Sequence, residues 1–90
     1  PDHDLVRALI EQGLARAGTG FAPDAPEWIA RRIERSYANV AAVLARLNQA
    51  SLSSSRKISV PFAKEALHAA GFLPIVFGDP PSAPDEAGKD

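Results

Sequence analysis

Ninety residues with a formal net charge of −1 allow one small domain, near the lower limit of what a single core stabilises. No cysteine is present, which excludes a disulfide framework and a thiolate metal site, and no apolar run approaches the roughly 18 residues that a membrane span needs. The first residues, PDHDLVRAL, carry no signal-peptide pattern, and the chain starts at Pro1 with no methionine anywhere, so we expect a domain of a longer cytoplasmic protein.

Hydrophobic residues make up 46% of the chain, but Trp, Tyr and Phe together supply only one, one and four of them. A core of Ala, Leu, Ile and Val at close spacing suits packed helices better than a sandwich. Charge is unevenly spread: Glu27 to Lys64 carries seven basic residues against two acids, whereas Gly71 onward carries four acids and one lysine. That asymmetry predicts a cationic face on the folded part.

Leu5, Val6, Leu9, Ile10 and Leu14 recur at the spacing of one helix face. Asp2 or Asp4 caps the start, where the helix dipole favours acids, and Gly18 and Gly20 supply the stop. Gly13 inside this helix costs up to about 1 kcal/mol relative to alanine, which close approach of another helix would justify. A second, short helix follows Asp24, with early prolines that suit a first turn. Trp28, Ile29 and Ile33 form its buried stripe, and Glu27 and Arg31 stand at the spacing of a surface pair. Ser36 caps a third and longest helix, with Tyr37, Val40, Ala41, Leu44, Leu47 and Asn48 on one face, widened by Val43 and Leu52. It ends in SLSSSRK, whose serines favour a turn. Ser59 caps a fourth helix with Pro61 in its first turn; Phe62, Ala63, Ala66, Leu67 and Ala70 face inward, and Gly71 stops it. The preceding Ile58-Ser-Val60 is read as an apolar lead-in, because a lone strand has no obvious partner.

The resulting division is a helical domain at 1–71 and, at 72–90, an apolar FLPIVF segment followed by a Pro-, Gly- and acid-rich tail with the composition of disorder. FLPIVF is too apolar to stay in water, and folding back onto the helices is the preferred outcome.

Chemistry is sparse. No phosphate loop, His-Cys cluster or nucleophile elbow is present. His3 falls in a frayed terminus, His68 on an outward helix face, and the carboxylates are scattered. A self-contained active site is not expected. Arg31, Arg32 and Arg35 lie within five residues, with Arg31 and Arg35 read as sharing a face. A solvated helix side explains them; phosphate recognition is the sharper option, since a planar guanidinium suits it. Arg56 and Lys57, before the fourth helix, could extend one positive stripe. A helix-turn-helix would need base-reading side chains on the third helix, but beyond Arg35 it offers mainly alanines with Asn39, Arg46 and Gln49, poor equipment for base edges. Direct DNA reading is not expected.

The stretch RRIERSYANVAAVLARLNQASLSSSRKISVPFAKEAL, Arg31 to Leu67, resembles the α-helical lid subdomain that follows the ATPase core in the DnaA/Hda family of bacterial replication-initiation proteins, and is closer to the Hda side. The long helix, the polar turn with a basic pair and the capped closing helix carry the likeness, and PDHDLVRALIEQGLARAGTGFAPDAPEWIARRI fits the family's first two helices. The resemblance covers about residues 2 to 68. It implies an all-α, four-helix AAA+ lid-type bundle, not an enzyme by itself, that shapes contacts in the control of replication initiation. Implied partners are the AAA+ core of the same protein and a DnaA-type AAA+ neighbour; ATP or ADP would belong to the parent protein, with no cofactor in this fragment and no metal. Such lids commonly carry a sensor arginine early in the third helix, a seat that falls here at Ala38. Arg35, one turn earlier, is the other nucleotide-contact candidate, and Arg31, Arg32, Arg56 and Lys57 are interaction-face candidates. Two further readings remain open: a stand-alone helical interaction domain that dimerises through Phe72, Leu73, Ile75, Val76 and Phe77, and a basic DNA-contacting module.

Overall fold

The computed structural model describes residues 1–73. Four helices follow in order: α1 (His3–Arg16), α2 (Ala25–Ala30), α3 (Tyr37–Ser54) and α4 (Val60–Ala69). The fold class is therefore all-α, as expected. α1 packs on α2 and α3, and α4 packs on the same two, so the four helices close a ring in the order α1, α2, α4, α3.

Three helix starts are fixed by the side chains named from the sequence. The Leu5 N–H donates to Asp2 Oδ1 at 2.9 Å, Asn39 N–H to Ser36 Oγ at 3.1 Å and Phe62 N–H to Ser59 Oγ at 3.2 Å. Each bond satisfies a backbone donor that the first turn leaves without a partner. α2 is different: Asp24 makes no side-chain cap bond, and a proline in the first turn sets the entry instead. Gly18 (φ 72°) and Gly71 (φ 81°) take the left-handed turns after α1 and α4, where a side chain would strain the backbone. The serines that close α3 divide the work. Ser53 and Ser54 hydroxyls donate back to the Gln49 and Ala50 carbonyls, which keeps them helical, and Ser55 makes the left-handed turn.

The core takes Val6, Ile10 and Leu14 from α1, Ala25, Ile29 and Ala30 from α2, Val40, Val43 and Leu47 from α3, and Phe62, Ala63 and Leu67 from α4, closed by Ile33 and Ile58. Burying each large aliphatic chain is worth about 1.5–3 kcal/mol. Gly13 has the expected reason: a β-carbon there would sit 2.5 Å from Leu44 Cδ1, so α1 and α3 cross closely at this point.

Several expectations need correction. Leu5, Tyr37 and Leu52 are exposed, by 40%, 63% and 83%, and Ala41 is exposed as well. The buried line of α3 runs through Val40, Val43 and Leu47, because α1 and α4 clasp it from two sides. The flank with Tyr37, Ala41 and Leu44 instead rims an open groove of about 240 Å³ against Leu9 and Gly13 of α1. Ile58 does find a partner. It forms a single parallel bridge with Phe21, its N–H donating to the Gly20 carbonyl and its carbonyl accepting from the Ala22 N–H, both at 2.8 Å. Gly20 therefore serves close approach, with Lys57 Cβ 3.3 Å from where its own β-carbon would lie, and does not end α1. Phe72 and Leu73 fold back onto the core; Ile75, Val76, Phe77 and the acidic tail lie outside the described residues.

Candidate functional site

The candidate residues fall into three places. The first is the start of α3. Ser36, as N-cap, has an extended backbone (φ −112°, ψ 153°) and the helix begins at Tyr37. Ala38 is in the first turn with its methyl group exposed, while Arg35 is exposed before the cap. Arg35 is thus not one helical turn below Ala38 on a shared face, since helical periodicity does not extend across an extended cap residue. The pairing of Arg31 with Arg35 fails for the same reason: α2 stops at Ala30 and Arg31 is its C-cap.

The second place is α2, whose arginines are engaged within the fold. Arg31 Nε lies 2.7 Å from Glu27 Oε2, Arg7 Nε lies 3.8 Å from Oε1, and His3 Nε2 lies 3.0 Å from both oxygens. Hydrogen bonds from Arg31 first and His3 second hold the Glu27 carboxyl below its usual 4.5, because they favour the charged form. His3 is accordingly not frayed. It sits in the first turn of α1, partly buried, and ties that helix to α2. Arg32 lies over Trp28, its Cζ 4.2 Å from the ring centroid, and its guanidinium donates to the Trp28 carbonyl at 3.3 Å. The guanidinium covers the part of the ring that the core leaves open.

The third place is the turn between α3 and α4. Arg56 and Lys57 are exposed and border an open groove of about 510 Å³ that runs to Thr19 and Asn48. Arg56 Cζ is 5.0 Å from the Phe62 ring centroid. Thr19 Oγ1 donates to Asn48 Oδ1 at 2.6 Å, which fastens the end of α1 to α3 and leaves the Asn48 amide nitrogen as a donor. Sequence reasoning placed Asn48 on the packed face of α3 but did not foresee Thr19; a polar residue at core spacing is the signal that a buried-side hydrogen bond awaits it. The structure does not gather the three places into one cleft. His68 is exposed, and among the described residues no group of three His, Asp or Glu side chains stands close enough to hold a metal ion.

A family model described as Hda, lid domain, matches residues 2–67. The match spans well over half of the chain, and the chain belongs to the Hda lid domain family. No curated protein and no solved structure matches it. A lid domain alone is a non-catalytic helical subdomain, and membership implies association with an AAA+ core. No described helix is long and apolar enough to cross a membrane.

Proposed function

We propose that this chain is the regulatory lid of a DnaA/Hda-like AAA+ protein that controls bacterial chromosomal replication initiation in the cytoplasm. Its partners are the AAA+ core of the same protein and a DnaA-type AAA+ neighbour, with ATP or ADP held by the core. The observation that carries this reading is the family match over residues 2–67. The engaged state of Arg31 and Arg32 supports it in a negative way: neither is set out as a nucleic-acid contact. Removing the parent protein, or its lid, from its cells should change the ratio of origin to terminus DNA; an unchanged ratio would end the replication reading.

The lid's part in nucleotide contact is reduced. An alanine methyl supplies neither charge nor hydrogen-bond donor, so Ala38 does not fit a phosphate. Arg35, ahead of the helix cap, does not replace it by a simple one-turn shift. The lid then acts by shape and by protein contact, while the core alone grips the phosphates. Within the full parent protein, Ala38→Arg should tighten ADP binding by roughly tenfold, the effect of one new charge-assisted hydrogen bond, as read by titration with a fluorescent ADP analogue. Unchanged affinity would refute the placement of the sensor seat at Ala38.

A further inference from the structure

The geometry points to an anion-binding surface in the groove at the α3–α4 turn, and we propose that its occupant is this chain's own acidic segment, residues 79–90. The inference stands independently of the replication reading.

The groove has the chemistry of an anion site. Arg56 and Lys57 supply two cations, Asn48 an amide donor and Ser55 a hydroxyl, and no carboxylate is among the residues that line it. Among the described residues every ion pair involves Glu11 or Glu27, and none reaches Arg56 or Lys57. The backbone that presents the two cations is held from both sides. The Ser51 hydroxyl donates to the Arg56 carbonyl, the Arg56 N–H donates to the Ser51 carbonyl at 3.2 Å, and the next residue, Ile58, is bonded to Gly20. The backbone at this turn therefore needs no reordering when an anion arrives, and only the two side chains lose freedom.

The chain carries the complement. Asp79, Asp85, Glu86 and Asp90 stand against a single Lys89. Reach is sufficient. The groove lies beside the start of α4, and Leu73 is packed on the core just past its end. α4 has ten residues, hence a length of about 15 Å. An extended chain at about 3.1 Å per residue covers roughly 19 Å from Leu73 to Asp79 and roughly 37 Å to Asp85. Asp85 and Glu86 can therefore meet Arg56 and Lys57 with slack. The tether also raises their local concentration to the millimolar range, so that screened surface pairs too weak to hold a free peptide suffice here. A tail seated in this groove would compete with any acidic partner for the same two cations.

The absence of cysteine gives a clean test. A nitroxide on Ala87→Cys of the full chain should broaden the amide signals of Gly20, Asn48, Ser55 and Lys57 at about 20 mM salt. Raising salt to about 500 mM, where screening is within about 5 Å, should restore them. Neutralising the segment (D79N, D85N, E86Q and D90N together) should abolish the broadening without touching the folded part, and Arg56→Glu with Lys57→Glu should do the same. Absent or uniform broadening at low salt, broadening centred on Arg31 and Arg32, or broadening passed between labelled and unlabelled copies in a mixture would each overturn the proposal.

Discussion

Arg31 and Arg32 at the end of α2 and Arg56 and Lys57 at the turn before α4 give the chain two cationic pairs of equal formal charge. The first pair is bound within the fold: Glu27 and Trp28, each one turn earlier on the same helix, receive a guanidinium apiece. The second pair has no acidic neighbour among the described residues and faces an open groove. Arg56 also has an aromatic partner, its Cζ 5.0 Å from the Phe62 ring centroid, so the two pairs differ in the carboxylate that Glu27 sets beside Arg31, and net charge conceals that difference.

The largest test of this contrast is Trp28→Ala. It removes a partly buried ring from the core and the platform beneath Arg32, and should lower the unfolding free energy by about 2–3 kcal/mol, under the range for a fully buried aromatic. Arg32→Ala should cost only about 0.5–1 kcal/mol, the value of an exposed stacked cation with its covering stem. Urea denaturation separates the two. Equal losses would mean that the arginine, and not the indole, organises this corner.

The helix starts were readable in the sequence because a cap is a local event: Asp2, Ser36 and Ser59 lie just before their helices and act on a backbone group three residues on. Gly13 was readable for a related reason, since a glycine inside a helix demands a close neighbour. The Phe21–Ile58 bridge was not, because one residue pair joined across the whole of α2 and α3 leaves no periodic trace. The exposed face of α3 was misjudged where apolar spacing alone was used; Tyr37 and Leu52 repeat at helical intervals but lie at its two ends, where they border open grooves instead of the core. At the candidate site the helical reading was carried too far. Counting turns from Arg31 to Arg35 to Ala38 assumes an unbroken helix, but α2 stops at Ala30 and Ser36 caps a new helix.

The caps sharpen the contrast at an intermediate scale. Ser59 anchors the start of α4, two residues after Lys57, so Ser59→Ala should cost about 1 kcal/mol and loosen the groove's edge. Asp24 stands at the corresponding position before α2 but makes no side-chain cap bond, and Asp24→Ala should fall within about 0.5 kcal/mol of wild type. If the Asp24 variant lost as much as the Ser59 variant, the proline-set entry of α2 would be the wrong account.

The smallest effect concerns Glu27, where pH distinguishes a bound cation pair from an open one. The folded-state carboxyl lies below 4.5, first through the hydrogen bond from Arg31 and then through that from His3, whereas in the unfolded chain these partners are lost. The unfolded state therefore binds protons more readily on acidification, and stability from this contact is fully present above 4.5 and lost as pH falls through the lower folded value. His3 and Arg7 from α1 and Arg31 from α2 are the groups that face the carboxylate, and screening by solvent keeps the contribution small. Glu27→Gln removes the charge without changing shape. Its urea midpoint should lie slightly below that of wild type near neutral pH, and the two curves should converge as pH drops below 4.5. Curves that stay parallel through the acid range would show that Glu27 holds α1 to α2 through packing alone, and the argument that Arg31 is occupied by a charge partner would fall with it.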